Sequence, residues 1–240
     1  MTKIKERIEH IKANINSACV RAGRDPAEVK LVVVTKSVTF EAIEQVIRLG
    51  FTELGENRVQ QLKKIYTQAE EFLQANAADP AFPRKVHWHM IGHLQRNKVR
   101  QALPLVTTVH SIDTLRLAEE INAAAVKMGV CPDVLLQVNT SQEPQKFGVS
   151  VGAAPHLAEQ VESLPNLRLV GLMTMGPLTH NKDVIRECFV RARELFVEIR
   201  GEKIVGKHFT ELSMGMSSDY EIAVEEGATI LRIGSAIFSG

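Results

Sequence analysis

The 240-residue chain is poor in several things at once. It has three cysteines, Cys19, Cys131 and Cys188, and no CxxC pair among them. That odd set excludes a disulfide framework and a zinc ribbon, and it predicts free, mostly buried thiols in a reducing compartment. Neither sign of charge dominates: 29 Lys+Arg against 28 Asp+Glu leave a formal +1, too little for a broad nucleic-acid footprint. The apolar runs, such as residues 31–34, fall far short of the roughly 20 residues that span a bilayer. The first 23 residues carry charges throughout and have no apolar export region. No GxGxxG stands at a strand-to-helix junction, which weakens the case for a dinucleotide-binding open sheet. Aromatics are scarce at 5%, with one tryptophan (Trp88) and two tyrosines (Tyr66 and Tyr220). These absences predict a cytoplasmic globular protein with no nucleic acid and no membrane among its partners.

What is present is enough apolar material, 45% of the chain, for one large α/β core. Ile4, Ile8, Ile11, Ile15, Ala18 and Ala22 recur at steps of three or four, which draws the stripe of an amphipathic helix. Gly23 follows as its stop. Residues 30–36 then form a β-branched run, apolar on consecutive positions, as expected of a strand buried on both faces. The alternation repeats. Strands are expected at 51–54, 86–91, 107–112, 134–138, 167–172, 209–213 and 229–233. Helices are expected at 39–49, 56–73, 114–128, 154–163, 184–200 and 219–226. Eight strands alternating with helical stretches predict a parallel α/β protein. The length fits a (β/α)8 TIM barrel forming a single domain over residues 1–240. An eighth helix is missing after the last strand, and the N-terminal helix is expected to complete the outer ring. A doubly wound open sheet is the alternative.

In such a barrel, function sits at the C-terminal strand ends. Lys36 closes the first strand. It either snorkels to water as a surface lysine or lies partly desolvated in the barrel mouth, with a lowered pKa suited to an imine. The third strand ends in His87-Trp88-His89, with His110 and Asp113 after the fourth. This set can ligate a divalent metal or serve as hydrogen-bonded pocket histidines. Ser213-Met214-Gly215-Met216-Ser217-Ser218-Asp219 follows the seventh strand, and Arg232-Ile233-Gly234-Ser235 spans the end of the eighth. Adjacent loops rich in Gly and Ser at these positions suit an anion, although Ser217 or Ser218 can equally cap the next helix. Lysine, phosphate donors and an inward arginine are together what pyridoxal phosphate needs.

The residues also carry a family resemblance. Val34-Thr35-Lys36, Gly55-Glu56-Asn57 with Gln60, Trp88 to Gly92 with Leu94-Gln95 and Asn97-Lys98, and Ser111-Ile112-Asp113 match in order. So do Gln137-Val138-Asn139 through Lys146 and Gly148, Gly171 to Met175, Leu212 to Ser217 with Asp219, and Arg232 to Phe238. The chain resembles the pyridoxal phosphate homeostasis protein family, single-domain relatives of the alanine racemase N-terminal barrel (fold-type III). Thr35 stands where the family often has Ser, and no proline follows Lys36 in Ser37-Val38-Thr39-Phe40.

The resemblance implies pyridoxal 5′-phosphate as cofactor, with Lys36 as the Schiff-base lysine and Arg232 near the pyridine nitrogen. It places Ser213, Ser217, Gly234 and Ser235 around the phosphate, and Asn57 and Met175 along the pocket. It further implies a non-catalytic binder that maintains intracellular vitamin B6 pools, with pyridoxal phosphate-dependent apoenzymes as candidate recipients. Nothing in the pattern demands a dimer, and a monomer is expected. The alternatives are a minimal amino-acid racemase and a metal-dependent hydrolase using His87 and His89. A racemase needs two bases on opposite faces of the cofactor, and Tyr66 and Tyr220 both fall within expected helices.

Overall fold

A computed structural model describes residues 3–141, 143 and 145–239. Its centre is a closed parallel barrel. The strands are β1 (Lys30–Val34), β2 (Glu53–Glu56), β3 (His87–Met90), β4 (Thr108–Ile112), β5 (Asp133–Asn139), β7 (Arg168–Met173), β8 (Glu211–Ser213) and β9 (Ile230–Ile233), with a two-residue β6 (Val149–Ser150) attached to the end of β5. Hydrogen bonding runs β1-β2-β3-β4-β5-β7-β8-β9, and β9 returns to β1 with Val32 opposite Arg232. This is the expected (β/α)8 barrel rather than an open sheet.

The outer layer contains α1 (Lys3–Ala22), α2 (Phe40–Arg48), α3 (Val59–Ala75), α4 (Val99–Ala102), α5 (Leu115–Met128), α6 (Ala154–Glu162), α7 (Lys182–Gly201), α8 (Tyr220–Glu225) and α9 (Ser235–Phe238). The helix α1 packs on α8, α9 and α2 and so fills the gap left in the ring. Its Ile8, Ile11 and Ile15 are buried, and each contributes roughly 1.5–3 kcal/mol. The pairs from Arg21 to Glu221 and Glu225 are solvent-screened and add little. The apolar stripe therefore holds the helix, and the ion pairs only dress its end. Gly23 takes a left-handed φ of +65°, the conformation its stop position requires.

Three short elements escaped the sequence reading, one of them α9, a four-residue helix after β9 where none was expected. The four-residue α4, preceded by a 3₁₀ turn at Arg96–Lys98, and the two-residue β6 are both too short to show a period. Cys19 and Cys188 are buried and free as expected, whereas Cys131, also free, is exposed in the loop before β5. No helix among the described residues is long and apolar enough to cross a membrane.

Candidate functional site

At the C-terminal end of the barrel lies a cavity of about 430 Å³ lined by Val34, Lys36, Asn57, Ile91, Gly92, Met175, Met216, Ser217, Ser218, Arg232, Gly234 and Ser235. Seven of the eight expected cofactor residues therefore meet in one place. The eighth, Ser213, does not line it. That side chain is fully buried beneath Arg232.

Each wall follows from local structure. Lys36 stands just past β1, where the chain turns through Ser37 at a left-handed φ of +61°. The lysine is exposed at the rim, as in the first of the two readings its position allowed, because the turn carries it clear of the packed strand end. A second cavity of about 440 Å³ shares Val34, Lys36, Gly234 and Ser235 on the other side of the same turn. Close to Lys36, Glu56 is buried and accepts a 2.6 Å hydrogen bond from the Thr35 hydroxyl. Burial raises its carboxyl above the usual range, against that bond, a backbone bond from Asn57 and the Lys36 charge.

The opposite wall is built by two loops tied together. The Ser217 hydroxyl accepts from the N–H of Ala236 at 3.1 Å and of Gly234 at 3.4 Å. Ser217 thus bridges the loop after β8 to the start of α9 and does not cap α8. Asp219 precedes that helix instead and accepts from the Met216 N–H at 2.6 Å; burial pushes its carboxyl up. Gly234 brings its backbone against β1: a Cβ there would lie 3.0 Å from the Val34 carbonyl oxygen. At Gly92 a Cβ would come within 2.3 Å of the Asn57 carbonyl oxygen, so only glycine lets these loops close.

Arg232 forms the floor. It is buried on β9 and donates from Nη1 to Ser213 Oγ at 2.6 Å and from Nη2 to the Thr174 carbonyl at 2.8 Å. Burial lowers its pKa to about 10, while the nearby Asp219 carboxylate works to raise it; the guanidinium remains charged at neutral pH.

Below the floor the lumen is polar. His110 Nδ1 lies 3.0 Å from Ser213 Oγ, His110 Nε2 lies 2.9 Å from His89 Nδ1, and His89 Nε2 lies 2.7 Å from Glu53 Oε2. These are the histidines whose pattern admitted a metal site. Among the described residues no group of three His, Cys, Asp or Glu side chains is arranged to hold a metal. His110 is driven well below the ordinary histidine pKa by burial first, then by the charges of His89, Arg232 and Lys30. Sequence reasoning found the histidines but not their partners, because His110 and Ser213 stand on strands that are not neighbours in the sheet.

The donor set fits an anionic, carbonyl-bearing cofactor. The cavity combines a primary amine, a charged guanidinium, an amide and three hydroxyls, and no carboxylate lines it. Neither tyrosine does so either: Tyr66 packs on the outer core, and the Tyr220 hydroxyl accepts from Asn14 of α1 at 2.9 Å.

A (β/α)8 barrel with an amine and a guanidinium at its C-terminal mouth is the class that fold and site define. Residues 7–240 match the family described as alanine racemase, N-terminal domain. The chain is 39% identical over 233 residues to the pyridoxal phosphate homeostasis protein of Aquifex aeolicus, covering 97% of this chain and 96% of the relative. It is 35% identical to that of Escherichia coli K12, at 99% and 97% coverage. The structure of PipY from Synechococcus elongatus with PLP bound superposes with a TM-score of 0.82 at 30% identity, over 98% of this chain and 100% of that one. An alanine racemase of Clostridium difficile shares the fold (TM-score 0.70) at 11% identity, and the chain covers 56% of its length. The chain belongs to the pyridoxal phosphate homeostasis proteins within the alanine racemase N-terminal domain family.

Proposed function

We propose that this protein binds pyridoxal 5′-phosphate in the C-terminal cavity and serves vitamin B6 homeostasis by holding and releasing it rather than by turning over a substrate. The observation that carries the reading is the convergence, in a cavity without a lining carboxylate, of the Lys36 amine, the Arg232 guanidinium and the hydroxyls of Ser217, Ser218 and Ser235. The bound cofactor supplies an aldehyde that a primary amine can capture and a ring that can draw electrons from that carbon.

Lys36, exposed at the rim, is placed to reach such an aldehyde. Arg232, held from behind by Ser213 and Thr174, is suited to donate to the pyridine nitrogen. A permanent cation there keeps that nitrogen unprotonated and makes the ring a weak electron sink. Ser217, Ser235 and the close backbone at Gly234 suit the phosphate, with Asn57 and Met175 beside the ring. Ser213 supports Arg232 instead of meeting the phosphate.

The absence of a tyrosine along the cavity argues against a two-base racemase. A location in the cytoplasm, a monomeric state and apoenzyme recipients belong to the same proposal.

The test is direct. Purified protein incubated with pyridoxal phosphate is expected to gain a visible absorption band. Borohydride should fix a covalent adduct that mass mapping places on Lys36, and Lys36→Ala should lose both signals. A colourless protein, or an adduct elsewhere, would overturn the reading. With L-alanine present, optical activity should stay constant; its decay would make the protein a racemase.

A further inference from the structure

The four polar contacts under the cavity floor have a direction. Arg232 can only donate, so Ser213 Oγ is an acceptor toward it at 2.6 Å. Glu53, half-open to water at the other end of the barrel, has a carboxyl held below the usual range; burial pushes it up, but the His89 hydrogen bond and the positive charge around it, Lys30 included, outweigh burial. The ionised carboxylate can only accept, so His89 Nε2 carries its hydrogen toward Glu53.

Two orders of the remaining hydrogens satisfy both ends. In the first, Ser213 donates to His110 Nδ1, His110 Nε2–H donates to His89 Nδ1, and both histidines are neutral. In the second, His89 is an imidazolium that donates to His110, and His110 donates through Nδ1–H to Ser213. The second adds a cation to a lumen that already holds the buried Arg232. It also strips the Ser213 hydroxyl hydrogen of its acceptor, in a side chain with no exposure to water. Leaving a buried donor unpaired costs about 1–3 kcal/mol.

We infer that Glu53, His89, His110 and Ser213 form a one-way hydrogen-bond chain, with both histidines as neutral Nε2–H tautomers, that positions Arg232 from the far end of the barrel. All four members lie outside the cavity. All four are positioning residues, and Arg232 is the group they serve. With the Ser213 hydrogen committed to His110 and one guanidinium nitrogen committed to Thr174, Arg232 has a single rotamer in which its remaining N–H groups face the cavity. Glu53 sets the polarity: a residue there that cannot accept leaves His89 Nε2–H without its partner, and the preference over the reversed chain, with both histidines as Nδ1–H tautomers, is lost.

The role toward the cofactor rests on the reading of Arg232 given above, but the tautomers do not. Long-range ¹H–¹⁵N NMR of the cofactor-free protein at neutral pH should show Nε2–H tautomers for His89 and His110. An Nδ1–H tautomer at His110, or an imidazolium at His89, overturns the chain. In Glu53→Met the Nδ1–H tautomer of His110 should become populated beside the Nε2–H form, whereas Glu53→Gln, whose amide oxygen still accepts, should keep the wild-type pattern. Glu53→Met with an unchanged His110 tautomer refutes the polarity. If that variant fails to fold, Ser213→Ala serves, with His110 Nδ1 expected to lose its hydrogen-bonded shift.

Titrated with pyridoxal phosphate, Glu53→Met should bind about 3- to 10-fold more weakly, the loss of one hydrogen bond at a charged group. Unaltered affinity in Glu53→Met, with Arg232→Ala clearly weakened, overturns the positioning role. Unaltered affinity in Arg232→Ala instead overturns the ring-nitrogen reading and leaves the tautomer result standing.

Discussion

The barrel separates two interiors with opposite chemistry. Between strands and helices the filling is apolar: Trp88, Phe189, Phe209, Ile43, Ile47 and Leu62 are among its largest fully buried side chains. Inside the lumen a small apolar cluster of Leu135, Val170, Met173 and Met175 shares the space with Arg232, Ser213, His110 and His89. The shell stabilises by area removed from water and tolerates any shape that fills it. The lumen depends on each hydrogen finding its acceptor, and one missing partner leaves a chain of orphans. Stability resides mostly in the first interior and specificity for a ligand in the second.

That division can be broken from either side. Trp88→Ala in the shell should cost about 3–5 kcal/mol in urea unfolding. No hydrogen bond is lost with the Trp88 indole nitrogen, so the loss measures packing alone, and the variant that remains folded should keep its cofactor band. A band lost in proportion to stability would show that the two interiors are one. His110→Leu should cost a comparable amount, roughly 1–3 kcal/mol for each of the two orphaned neighbours, Ser213 and His89. It should also reduce cofactor retention, measured by dialysis of the holoprotein.

Acid sharpens the contrast. Because the His110 pKa is depressed in the fold, the unfolded chain takes up a proton near its ordinary value of about 6.5 that the folded chain refuses. Stability is therefore lost as pH falls below that value. Between pH 6.5 and 5.5 the wild type should lose up to about 1.4 kcal/mol more than His110→Gln, read from urea midpoints at each pH. Equal slopes would place the titration elsewhere. The smallest effect is expected on the outer surface: Arg21→Ala, which removes two solvent-screened ion pairs to α8, should leave the urea midpoint nearly unchanged.

The shell was the more legible interior. Its helices announce themselves by the spacing of Ile8, Ile11 and Ile15, or of Ile185, Phe189, Ala192 and Ile199, and its strands by β-branched runs such as residues 31–34. These are local signals, readable within a dozen residues. The cavity lining was legible because its members fall at strand ends that the barrel gathers on one face. Ser213 lies off the cavity lining for a physical reason. Its position at the end of β8 suggested the rim, but two residues separate it from the first cavity-lining position, Met216, and its hydroxyl turns under Arg232. The His110–Ser213 bond joins residues 103 apart on non-neighbouring strands, and no local pattern encodes such a meeting.

One consequence of the closure between β1 and β9 concerns the order of synthesis. Lys30 pairs opposite Ile230, and bringing the ends of a loop of that length together costs about 5 kcal/mol of chain entropy. The cavity draws Lys36 from the first strand and Arg232, Gly234 and Ser235 from the last. While a ribosome is still extending the chain, α1 keeps its stripe uncovered and the lysine has no guanidinium to face. A chain that stops short of β9 therefore has neither the closed barrel nor the last-strand residues of the cavity.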